Sequence, residues 1–140
     1  MAPWLFWALL SAVFAALTAV LAKVGVAGVP PDVATFVRTF VVVAALGVLL
    51  AATDQIGALR EIPRRSGLLL LFSGLATGAS WLCYFRALQL GDAARVAPVD
   101  KLSVVFVAVF AVLVLGEHLS PLSWAGVGLV GIGAVLVAVG

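Results

Sequence analysis

Residues 3–23 read PWLFWALLSAVFAALTAVLAK, an apolar run that meets no charged side chain before Lys23. The hydrocarbon core of a bilayer, about 30 Å thick, is crossed by about 20 helical residues, and this run has that length. It lacks a basic n-region, is longer than the ~7–15-residue core of a signal peptide, and contains Trp4 and Trp7, so it is expected to be retained as a span. Working outward, four more runs of the same kind follow: Val33 to Thr53, Gly67 to Leu90, Ala93 to Gly116 and Pro121 to Val139. Hydrophobic residues make up 65% of the 140-residue chain, against ~45–50% in soluble domains. A soluble fold of this size has too little interior to hide five such rods, so lipid must be their solvent. The expected fold is all-α: an integral membrane bundle of five transmembrane helices, about 3–23, 33–53, 67–90, 93–116 and 121–139, forming a single module over residues 1–140.

Composition excludes several function classes. Eight basic and six acidic residues leave a formal net charge of only +2, and the longest basic run is Arg64-Arg65, so no nucleic-acid partner is expected. Cys83 is the single cysteine and His118 the single histidine; a Cys/His metal cage is not expected, nor any cofactor. No nucleophile–base pair stands out, which makes an enzyme the least favoured class.

Helix ends follow local chemistry. Pro30-Pro31-Asp32 separates the first two helices, with Asp32 or a neighbour as the cap. The second helix should end near Thr53-Asp54, and Asp54 to Ser66 reads as a polar loop. Gly91-Asp92 divides the third helix from the fourth, and Ser120-Pro121 reads as an N-cap followed by proline in the first turn of the fifth. Gly74 and Gly78 form a GxxxG pair, and the last helix carries Gly126, Gly128, Gly131 and Gly133. Such small residues permit close helix packing, either within the chain or between two copies.

Polar residues inside spans are the functional signal. Ser73, Thr77, Ser80 and Tyr84 follow helical spacing on one face of the third helix, and Ser11 and Thr18 share a face of the first. Each can be satisfied by a backbone carbonyl, whereas two aligned stripes fit a partly hydrated cavity, with Trp81 as its wall. A charge near the bilayer interior costs about 2.5–3.5 kcal/mol and needs a partner, a wet cavity or a route to the interface. Threading the chain puts Lys23, Arg38, Arg86, Asp100 and Lys101 toward one side. Snorkelling for Lys23, and an ion pair of Asp100 with Arg86 or Arg38, would satisfy them structurally. A net-positive vestibule for an anionic or zwitterionic solute is the functional alternative.

The run Ser80-Trp81-Leu82-Cys83-Tyr84-Phe85-Arg86 through Gly91-Asp92 to Val99-Asp100-Lys101-Leu102-Ser103-Val104 resembles the third-to-fourth helix signature of EamA-type proteins of the drug/metabolite transporter superfamily. Leu115-Gly116-Glu117 before a glycine-rich last helix is similar to the end of the EamA module, and Ala34-Thr35-Phe36-Val37-Arg38-Thr39 to the second helix of its short, five-helix bacterial and archaeal members. The resemblance implies a multi-pass transporter of the cell (inner or plasma) membrane. It further implies a homodimer with the solute site between protomers near mid-membrane, as alternating access requires. Arg38, Tyr84, Arg86, Asp100 and Lys101 are then the candidates for the pathway, with Ser11, Thr18, Ser73, Thr77, Ser80 and Trp81 as cavity lining. A non-transporting subunit docked on a larger complex, or a passive channel, are the alternatives. Loop charges alone, at Arg60, Arg64 and Arg65, favour an N-terminus inside and a C-terminus outside. Counting all eight basic residues, with Lys23, Arg38, Arg86, Arg95 and Lys101 on the other face, nearly balances the two sides and leaves dual insertion and an antiparallel dimer open.

Overall fold

The computed structural model describes residues 3–140 and is helical throughout, with no strand among the described residues. Helix α1 spans Pro3–Gly25, α2 Pro31–Ala52, α3 Arg64–Leu90, α4 Ala93–Asp100, α5 Ser103–Leu115 and α6 Pro121–Val139, and a short 3-10 helix occupies Ile56–Glu61. Five segments are long and apolar enough to cross a membrane: α1, α2, α3, Ala93–Leu115 (α4 with α5) and α6. Their large apolar side chains are left uncovered by the chain, Leu113 and Val114 each at 76% exposure. That inversion of a soluble core is what a hydrocarbon solvent allows, because lipid tails cover apolar surface as well as leucine does.

The ends of the elements obey their sequences. Pro31 opens α2 at a position where its missing N–H costs nothing; the cap residue is Pro30, and Asp32 lies in the first turn without capping through its side chain. Thr53 closes α2, its Oγ1 donating to the Leu49 carbonyl at 2.8 Å. Ser120 caps α6 by accepting from the Ser123 N–H at 3.1 Å. Gly116 ends α5 in the left-handed region at φ 68°, and its N–H and that of Glu117 both reach the Ala111 carbonyl.

Two expectations are corrected. The stretch expected as polar loop, Asp54 to Ser66, holds the 3-10 helix, and α3 starts at Arg64: once Pro63 is passed, every residue can donate, and Gly67 N–H already closes a turn on the Pro63 carbonyl at 2.9 Å. The fourth span, expected as one helix from Ala93 to Gly116, is interrupted. Pro98 has no N–H and its ring crowds the preceding turn. Helix α4 nonetheless continues through it to Asp100. Beyond that the chain has i→i−3 bonds, Lys101 N–H to Pro98, Leu102 N–H to Val99, and Val104 N–H to Lys101, each 3.0 Å, and resumes as α5 at Ser103.

Contacts divide the chain into two units, one running up to Leu21 and again over Leu90–Gly140, the other over Ala22–Gln89. In the first, α6 packs on both α4 and α5. Ala108, Ala111 and Ala134 are buried, and a Cβ on Gly131 would meet Val105 Cγ2 at 3.3 Å. Small side chains thus set the approach of α6 to α5. In the second unit Thr35, Phe85 and Leu88 are buried, Leu88 completely.

Candidate functional site

Within the unit Ala22–Gln89, the Arg38 guanidinium of α2 lies over the ring of Trp81, 4.4 Å from its centroid, and 5.4 Å from that of Phe85. The two rings stand one helical turn apart on α3 and so share a face. Arg38 is half-buried in a span. A cation over an aromatic face gains about 1–2 kcal/mol at half-buried depth, which offsets part of the about 2.5–3.5 kcal/mol cost of a charge at membrane depth. Stacking engages the flat face of the guanidinium and leaves its N–H edge for an acceptor. Tyr84 is half-buried on the same helix. On α2, Thr35 and Thr39 turn their hydroxyls back onto the Pro31 and Thr35 carbonyls, both at 2.8 Å, so their polar groups are satisfied within the helix.

The C-terminal end of α3 is held by the last turn of α1 and the connection that follows it. Lys23 Nζ donates to the Leu88 carbonyl at 2.7 Å, one of the orphan acceptors that end every helix and that favour a cation. Gln89 Nε2 donates in return to the carbonyls of Val29 and Val26, at 2.5 and 3.2 Å. Lys23 therefore has a structural partner where snorkelling was the simple expectation. Arg86 is exposed on α3.

In the other unit, Asp100 ends α4 and Lys101 sits at the break before α5. The partner of Asp100 is this neighbour, with Lys101 Nζ 3.1 Å from Oδ2. Both side chains remain accessible, at 55% for Lys101 and 36% for Asp100, and they mark a place where a span loses its regular hydrogen bonding.

The candidate lining residues divide differently. Ser73, Thr77 and Ser80 are exposed along α3, and Thr77 Oγ1 donates to the Ser73 carbonyl at 2.9 Å. Ser11 is exposed and Thr18 half-buried on α1. Among the described residues no three His, Cys, Asp or Glu side chains cluster in a way that could hold a metal ion. Phe85 was not singled out from sequence; its position one turn beyond Trp81 was the available signal.

Residues 2–139 match the EamA-like transporter family. The chain belongs to that family. A Sinorhizobium protein named as an uncharacterized transporter in the cobO 3' region is 61% identical over 136 residues, covering 97% of this chain and 96% of that protein. No solved structure matches. This EamA-family chain is thus a multi-pass membrane protein of a transporter family, and its relationships point to transport rather than to enzymatic chemistry.

Proposed function

We propose that this EamA-family protein moves a small polar solute carrying a negative group across the cell membrane by alternating access, acting as a homodimer. The observation that carries the reading is Arg38, held inside a span over the rings of Trp81 and Phe85. A purely structural arginine in lipid would be drawn to a carboxylate or to the interface; one stacked on rings keeps its N–H fork for a carboxylate or phosphate from outside. Tyr84 lines the path beside it, and Arg86 adds positive potential. Asp100 and Lys101, at an interrupted span of the type that transporters use around solutes and coupling ions, orient the solute's charged groups or exchange a proton. Open space beside Gly74, Gly78 and Gly133 suits close approach of a second copy.

The test is solute flux by the purified chain alone in liposomes, across anionic, zwitterionic and cationic candidates. Saturable uptake of an anionic or zwitterionic solute is expected, lost in Asp100→Ala and Arg86→Ala while membrane insertion persists. Absence of any flux identifies a non-transporting subunit, and fast, non-saturating flux identifies a channel; either result overturns the proposal.

A further inference from the structure

The connection between α2 and α3 pairs two patterns in one short segment. A 3-10 helix has about three residues per turn, so side chains at i and i+3 eclipse. In Ile56–Glu61 that rule aligns Ile56 with Leu59 on one row, and Ile62 follows at the same interval. They are 55%, 53% and 42% exposed. Arg60 lies on a different row, and Arg64 and Arg65 open α3 directly afterwards. All three arginines are exposed, and among the described residues no ion pair engages them, nor Asp54 or Glu61.

The place of this segment limits what it can meet. It joins the end of one candidate span, Ala52, to the start of another, Arg64, and therefore runs at a membrane–water boundary. Helix α3 is 27 residues long, about 40 Å at 1.5 Å per residue, against a hydrocarbon core of about 30 Å. The surplus leaves room for Arg64 and Arg65, its first two residues, in the headgroup layer. An apolar row beside unpaired arginines matches an interface in composition: acyl carbons on one side, phosphates on the other.

We propose that residues 56–65 form a docking surface for anionic phospholipid headgroups, with Ile56 and Leu59 seated at the acyl boundary and Arg60, Arg64 and Arg65 on the phosphate. The charge complementarity is specific to anionic lipid, because a zwitterionic headgroup offers its own cation to the same arginines. This surface is independent of the transport reading.

Native mass spectrometry of the purified full chain in detergent, with equal phosphatidylglycerol and phosphatidylcholine added, tests it. Each arginine near an anionic surface is worth about fivefold in occupancy, and Asp54 and Glu61 offset part of this. Retention of phosphatidylglycerol at least fivefold over phosphatidylcholine is expected. The preference should vanish in Arg60→Gln/Arg64→Gln/Arg65→Gln and survive in the triple lysine variant. Equal retention of both lipids by the wild type, or an unchanged preference in the glutamine variant, would overturn the proposal. A second readout does not need that variant: a bimane label on Leu59→Cys in a Cys83→Ala background, in vesicles of the same two lipids. Quenching by brominated acyl chains supports the apolar row as seated in lipid; quenching by aqueous iodide alone overturns it.

Discussion

Replacing Trp81 with leucine keeps an apolar side chain at the site but removes the ring under Arg38. The guanidinium would lose the nearer of its two aromatic contacts, 4.4 Å against 5.4 Å for Phe85. At half-buried depth that contact is worth about 1–2 kcal/mol, to which Trp81→Leu adds lost packing area of its own. The two contributions separate in a double-mutant cycle with Arg38→Gln, since packing loss appears in both backgrounds and cancels. Unfolding free energies of wild type, both single variants and the double variant, measured in one detergent by pulse proteolysis, should give a coupling of about 1–2 kcal/mol, or roughly 5–30-fold in the unfolding constant. A coupling below about 0.3 kcal/mol refutes the claim that the rings hold the cation. No substrate is needed, so the result stands whatever the protein transports.

Three further changes test neighbouring parts. Lys23→Met removes the charged donor to the Leu88 carbonyl, and thermal unfolding should reveal a loss of about 1.5–3 kcal/mol; an unchanged midpoint would mean the bond is replaced at no cost. Gly131→Leu forces side-chain atoms against Val105 and should destabilise by about 1–3 kcal/mol, with Val105→Ala restoring at least half; failure of that rescue would place the strain elsewhere. Pro98→Ala supplies the N–H missing inside α4, two residues before that helix ends. Circular dichroism should show equal or greater helicity and flux should fall several-fold, whereas unchanged flux would separate the break from transport.

The spans and most of their ends were legible because they depend on local chemistry. A run such as residues 3–23 needs only its length and lack of charge to declare a span, and Ser120-Pro121 needs only one hydroxyl and one fixed φ to start a helix. The family, too, was legible in the run from Ser80 to Val104. What was missed depends on partners distant in sequence or on competition between weak preferences. Nothing in residues 31–52 says that Arg38 will lie on Trp81 rather than reach for a carboxylate, because that choice is made by how α2 and α3 approach. Lys23 looked like an interfacial lysine until the end of α3 supplied a carbonyl. The break after Asp100 lies just beyond Pro98, but proline disturbs the turn before it and membrane helices tolerate it when neighbouring groups satisfy the freed backbone, so the residue does not announce an interruption there. The 3-10 helix at Ile56–Glu61 is too short for periodicity to announce it.

Ligand-induced stabilisation measures the central claim most directly, since a solute that binds the folded form raises its apparent stability. Purified wild type, Arg38→Gln and Arg38→Lys should be screened against matched anionic, zwitterionic and cationic solutes. At 100 times its dissociation constant a bound solute contributes about 2.7 kcal/mol, a shift of several degrees for a chain of this size. Such a shift is expected for solutes with a carboxylate or phosphate, absent in the glutamine variant and reduced in the lysine variant, whose ammonium cannot stack and present a planar fork. Stabilisation by cations alone, or an equal shift in wild type and Arg38→Gln, would contradict the claim.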